Sequence, residues 1–205
     1  MSHGSERALA GILLAAGAGS RFGGRKLLHP LADGTPIGVA ALRNLKRVLS
    51  QVVVVVREGD AALAACFAHE GEAVIECADA SEGMGHSLAA AVRAAGNASG
   101  WIVALGDMPR VAASTVQSVA AALNAGARIA VPTHHGQRGH PVGFAASCRD
   151  DLLALRGDAG ARSLLQRYAA EVVKVEVDDP GTLQDVDTLG DLQALGGATK
   201  IDSQD

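Results

Sequence analysis

"LLAAGAGSRFGGRKLL", from Leu13 to Leu28, decides how this chain is read. Its leucines and alanines close an aliphatic run that begins at Leu9. Four glycines follow, and Arg21, Arg25 and Lys26 stand among and just after them. A buried strand that ends in glycines and cations suits an anion. Glycines let backbone N–H groups approach it closely, and fixed cations neutralise its charge. Taken alone, the same stretch also fits an ordinary strand-to-helix turn with solvated charges.

Outward from this loop the chain alternates. Leu9–Ala15, Gln51–Val56, Ala73–Cys77, Trp101–Leu105, Arg128–Pro132 and Glu171–Val177 read as strands. Pro36–Leu49, Ala61–His69, Ser87–Ala95, Ala113–Asn124, Asp150–Leu155, Ala161–Tyr168 and Leu189–Leu195 read as helices. The valine run in "QVVVVV" is β-branched throughout and suits a strand covered on both faces. Alternating strands and helices predict an α/β fold with a mostly parallel central sheet and helices on both sides. Ligands of such sheets bind beyond the carboxyl ends of the strands. That rule points to the loops after Ala15, Leu105 and Val131. The expected unit is one domain over residues 7–195, with 196–205 a frayed tail.

Composition removes several classes. The 205 residues are 48% hydrophobic but only 2% aromatic, so aliphatic side chains must fill the core. A net charge of -4 without a long basic run argues against nucleic acid as a partner. Cys66, Cys77 and Cys148 are widely spaced and odd in number, which argues against a disulfide framework and fits a reducing cytoplasm. No run of residues is long and apolar enough to predict a membrane span.

Two phosphate motifs fail on the opening loop. For G-x-G-x-x-G, Gly17 and Gly19 fit, but Phe22 stands at the third glycine. For G-x-x-x-x-G-K-[ST], Gly19 and Gly24 fit, but Arg25 and Lys26 occupy the Lys and Ser/Thr positions. The first failure weakens the reading of an NAD(P)-dependent oxidoreductase on a Rossmann-like sheet. Elsewhere, Asp107 directly follows an apolar run. A lone carboxylate there is costly to bury, so it caps a helix or binds a metal. Asp185 and Asp187 precede the last helix, where Asp-Thr is also a good N-cap. His134 and His135, adjacent on an extended segment, are expected to point in opposite directions.

The loop resembles the signature L-A-[AG]-G-x-[GS]-x-R-[MF]-G-x-x-K of the MobA-like NTP transferases, matched by Leu14, Ala15, Ala16, Gly17, Gly19, Arg21, Phe22, Gly23 and Lys26. "EGMGHSL", "ALGDMP", "GHPVGF", "GDAGARSLL" and "LQDVDTLGDL" follow in the family's order. The set is most similar to the molybdenum cofactor cytidylyltransferase (MocA-type) branch. The resemblance implies a three-layer Rossmann-like nucleotidyltransferase fold that moves CMP from CTP to a small phosphorylated acceptor, molybdopterin or molybdenum cofactor, with release of pyrophosphate. It implies that Ala15, Ala16, Gly17, Ala18, Gly19 and Ser20 hold the nucleotide with Gly83 and Ser87. Arg21 binds the outer phosphates and Lys26 sits near the α-phosphate. Mg2+ is the implied cofactor, with Asp107 and Asp187 as its ligands. Gly139, His140, Pro141 and Arg162 are the implied acceptor side. Pyrimidine-using members tend to read Ala-Ala-Gly at the loop and guanylyltransferases Ala-Gly-Gly, so Ala16 implies CTP. Beside this stand a cytidylyl- or uridylyltransferase for another small phosphate, and a maturation factor that hands the cofactor to an apo-molybdoenzyme.

Overall fold

The computed structural model describes residues 8–17, 22, 25–158 and 160–194. The expected tail and the sites read at Ala18, Gly19, Ser20 and Arg21 lie outside them. Eight strands form one mixed sheet: β1 (Leu9–Leu14), β2 (Val52–Arg57), β3 (Ala73–Cys77), β4 (Gly100–Leu105), β5 (Ile129–His134), β6 (Gln137–Arg138), β7 (Val142–Ala145) and β8 (Val172–Glu176). The order is β3-β2-β1-β4-β7-β5-β6, and β8 pairs with β5. Pairs β1–β2, β1–β4, β2–β3 and β5–β8 are parallel. The helices are α1 (Ile37–Lys46), α2 (Ala61–Ala68), α3 (Met84–Ala94), α4 (Ala113–Asn124), α5 (Arg149–Leu153), α6 (Arg162–Arg167) and α7 (Leu189–Ala194).

The three layers follow from the period of the strands. Leu13, Val52, Val54, Val56, Ile102 and Ala104 pack on one face with Leu42 of α1, Phe67 of α2 and Val119 of α4. Ala10, Ile12, Val53, Val55, Trp101 and Val103 pack on the other with Leu88 of α3, Leu152 of α5 and Leu165 of α6. Successive side chains point to opposite faces, and both faces are covered, so every residue of these runs must be apolar. Burial at ~25 cal/mol per Å2 of apolar area makes the valine run of β2 a principal source of stability.

Three expectations need correction. The segment "GQRGHPVGF", read as part of the loop after Val131, holds two strands instead: β6 pairs with β5, and β7 lies antiparallel between β4 and β5. The sheet is mostly parallel, as expected, and these two strands bring in its antiparallel pairs. Strand β5 runs on to His134, and His135 enters a turn at φ 49. The chain is thus not extended across the two histidines, and their rings lie 4.1 Å apart instead of on opposite faces. Helix α3 starts at Met84 and not at Ser87, which puts Ser87 inside its first turn.

A buried carboxylate fixes the chain that returns to the site. Asp179, 7% exposed, accepts from the Ala112 N–H at 2.9 Å, the Thr115 hydroxyl at 2.6 Å and the Gly181 N–H at 3.0 Å. It caps α4 from 64 residues downstream of Thr115 and thereby seats the segment that follows. Asp179→Ala strands three donors, two of them at the start of a helix. A destabilisation of about 2–4 kcal/mol is expected. The urea midpoint measures it, and a loss below about 1 kcal/mol would show that the cap is incidental.

Candidate active site

Three loops meet beyond the carboxyl ends of β1 and β4, and backbone bonds stitch them together. The Gly106 N–H donates to Leu14 O at 2.9 Å, and the Val186 N–H donates to Asp107 O at 2.9 Å. A single helical turn, Lys26–Leu28, completes the group, with Arg25 before it in the left-handed region at φ 50. Leu27 anchors that turn in the core beneath Gly106. A Cβ on Gly106 would lie 3.1 Å from the Leu27 side chain and 3.2 Å from Leu14 O, so glycine lets the Asp107 loop settle there.

The result is one ammonium between two carboxylates. Lys26 Nζ lies 2.8 Å from Asp107 Oδ2 and 3.1 Å from Asp187 Oδ1. The Lys26 side chain is 11% exposed. Burial works against its charge, but the hydrogen bonds and charges of Asp107 and Asp187 outweigh it and raise the Lys26 pKa above that of an ordinary lysine. Lys26 is therefore a fixed cation at neutral pH. The other oxygen of Asp107, Oδ1, is buried without a hydrogen-bond partner. Such an atom costs about 1–3 kcal/mol and marks a place where a partner is expected.

The competing role for Asp187 falls to its neighbour. The Thr188 hydroxyl accepts from the Asp191 N–H at 3.1 Å, while Asp191 Oδ2 accepts from the N–H groups of Asp187 and Thr188. This is a reciprocal capping box for α7. The Asp187 side chain meets Lys26.

One cavity opens on this centre, and a second adjoins it. The first, about 430 Å3, is lined by Ala15, Ala16, Gly17, Lys26, Gly83, Ser87 and Asp107, all named by the sequence. Arg25, Arg57, Ser81 and Asp158 line it as well. Sequence reasoning gave Arg57 no role. The signal available was a cation ending the apolar run of β2. Its guanidinium donates to Ala16 O at 3.4 Å. The second cavity, about 380 Å3, is lined by Gly139, His140 and Arg162, as expected, with Arg138 and Asp158 and an apolar wall that includes Met84 and Phe144. Pro141 is buried behind it, joined to His140 by a cis peptide bond. Leu14, Met84, Leu105 and Asp158 border both cavities, so the two are contiguous.

Two glycines have structural reasons. A Cβ on Gly85 would lie 2.8 Å from the Arg156 backbone, and one on Gly139 2.4 Å from Thr182 O. Both allow close passage of two chains. His140 is largely buried, and burial, with Arg138, lowers its pKa against the pull of Asp107 and Asp185. Its ring is therefore neutral at pH 7, and Nδ1 has no partner.

The arrangement suits a divalent metal only in part by itself. Asp107 and Asp187 converge on one point that a cation occupies, and Asp107 Oδ1 remains to be satisfied. No group of three or more His, Cys, Asp or Glu could hold a metal among the described residues. Oxygens from a bound phosphate would have to complete the shell, which is the habit of Mg2+.

Comparison with known proteins places this geometry. A family model described as the MobA-like NTP transferase domain matches residues 11–172. The purine catabolism protein PucB of Bacillus subtilis is 34% identical over 192 residues, 88% of this chain and 92% of that protein. The nicotine blue oxidoreductase of Paenarthrobacter nicotinovorans is 33% identical, over 90% of this chain and 95% of its own. The crystal structure of Rv0371c from Mycobacterium tuberculosis aligns with a TM-score of 0.83 at 29% identity, covering 94% of this chain and 98% of that one. A structure of that protein in complex with manganese aligns at 0.76 and 27%, covering 94% and 99%. The family match spans both the glycine loop and the Asp107 loop, and this chain belongs to the MobA-like NTP transferase family.

Proposed function

We propose that the protein is a divalent-metal-dependent cytidylyltransferase that moves CMP from CTP to a small phosphorylated acceptor of the molybdopterin type, releasing pyrophosphate. The observation that carries this is the Lys26–Asp107–Asp187 constellation, whose Lys26 and Asp107 line a cavity that a second one adjoins across Leu14, Met84, Leu105 and Asp158. One cavity has nucleotide size and bears Lys26, Arg25 and Arg57. The other has an apolar wall and bears Arg138, His140 and Arg162. An acceptor with a flat organic body and a phosphate fits that combination of surfaces.

The chain's own groups then have plain tasks. Gly17 and its neighbours hold the triphosphate, and Lys26 neutralises charge at the α-phosphate, where the attacking phosphate oxygen forms its bond and pyrophosphate leaves. Such transfers need positioning and charge neutralisation more than covalent help. A divalent ion on Asp107 and Asp187, Mg2+ in this reading, supplies further charge neutralisation on the phosphates. Neutral His140 faces the acceptor cavity as a hydrogen-bonding group. The manganese bound by the Rv0371c structure supports a divalent ion here. The MocA-type branch, CTP and the acceptor rest on the motifs, with Ala16 at the wall of the nucleotide cavity.

A relative named as an oxidoreductase raises the other reading. Phe22 at the third position of the dinucleotide fingerprint weighs against it, and so do two carboxylates gathered on a lysine. Incubation with NADH or NADPH and a quinonoid dye tests it, with no oxidation expected.

Asp107→Ala is expected to lower turnover by ~10²-fold or more. Asp187→Ala should also be damaging, whereas Thr188→Ala should cost about 1 kcal/mol of stability and leave turnover nearly intact. Equal losses of activity from the last two would return Asp187 to the cap. Lys26→Ala should depress kcat more than it raises KM, by about 10²–10³. A change in KM alone would make Lys26 a binding residue only. CTP should be preferred over GTP, and Ala16→Gly should improve use of GTP, within the ~10- to 200-fold that one methyl can supply. A wild-type enzyme that uses GTP as well as CTP would sink the nucleotide assignment.

A further inference from the structure

The ion pair at the centre has a consequence for how the site fills. Lys26 Nζ stands within 3.1 Å of both carboxylates that are to hold the ion. The ammonium holds Asp107 Oδ2 and Asp187 Oδ1, and a divalent ion drawn to the same two carboxylates would stand a few ångströms from it, where like charges repel strongly in a half-buried site. The two cations compete for this place. We propose that Lys26 is a built-in counter-cation that keeps the divalent ion off Asp107 and Asp187 until a triphosphate offers the ammonium another partner, so that ion binding is coupled to nucleotide binding.

The geometry provides for each part of this exchange. The carboxylates lie on loops fixed by backbone bonds, the Asp107 loop to Leu14 and the Asp187 loop to Asp107. They therefore stay convergent when the ammonium leaves. Lys26 sits on a short turn, and its side chain borders the first cavity, into which its four-carbon stem can swing. Arg25 beside it and Arg57 across the cavity draw the same anion. A divalent ion balances two carboxylate charges where one ammonium balances one, and the site exchanges the first cation for the second only when phosphate takes up the ammonium. Coupling of this kind is reciprocal: the ion favours the nucleotide as much as the nucleotide favours the ion.

This inference rests on the reading of Asp107 and Asp187 as ion ligands, and its test contains neither nucleotide nor acceptor. Free Mn2+ is followed by electron paramagnetic resonance while purified protein is titrated in. Wild type and Lys26→Arg, which both keep a cation between the carboxylates, should bind Mn2+ weakly. Lys26→Met should bind it about tenfold or more tightly, within the ordinary range of binding couplings. Asp107→Asn added to Lys26→Met should erase the gain, which locates it at this site. Melting curves give a second readout. Lys26→Met should melt below wild type without Mn2+ and recover with it, while wild type should shift little. Equal Mn2+ affinity in wild type and Lys26→Met would overturn the proposal. So would a Lys26→Met chain that fails to fold even with Mn2+, because the ion then cannot stand in for the ammonium. A failed search for nucleotidyl transfer leaves these outcomes standing, and their failure leaves the transfer reading to its own tests.

Discussion

Everything in this molecule that points to chemistry depends on one ammonium held between two carboxylates. Lys26 lies 81 residues from Asp107 and 161 from Asp187 along the chain, so only the fold can bring them together. The fold does so in a simple way. Adjacent parallel strands β1 and β4 end side by side, and their loops are tied by one backbone bond from Gly106 to Leu14. The third loop arrives from the far end of the chain and is tied to Asp107 through Val186. Asp179 holds the base of that last segment by capping α4. The strands need apolar residues on both faces to be buried, and that leaves their ends as the natural place for charge.

The fold was largely legible in the sequence because its signals were local. A run such as Val52–Val56 has only one comfortable environment, a strand covered on both faces, and the structure provides it. The short strands β6 and β7 were not legible. β6 has two residues and β7 has four, too few for a period to show, and glycines and a proline masked them as loop. The start of α3 was misplaced because Gly83 and Gly85 read as a turn. Gly85 is helical and glycine only because the Arg156 backbone passes so close.

The site was legible where chemistry and spacing coincide, and less so where geometry decides. Asp107 could be named because a charge directly after a buried strand has few structural uses, and Lys26 because it fills the last position of the glycine-loop signature. Asp187 could not be separated from a cap until the Thr188–Asp191 box was seen to satisfy the helix on its own. Arg57 escaped notice because a cation ending a strand is usually a solvated edge. Only its place on the cavity wall, against Ala16 O, gives it a ligand to meet. The second cavity draws on β6, β7, α3 and α6, which no single stretch of sequence joins.

In the proposed reaction the two contiguous cavities are a donor site and an acceptor site for one group transfer. The most direct measurement follows the label. CTP carrying 32P at the α-phosphate, and in a parallel reaction at the γ-phosphate, is incubated with the protein, a divalent ion and a phosphorylated pterin. The α-label is expected on the acceptor, while the γ-label leaves as pyrophosphate. Transfer of the γ-label, or oxidation of a nicotinamide cofactor with no label moved across a full set of nucleotides and phosphorylated acceptors, would contradict it.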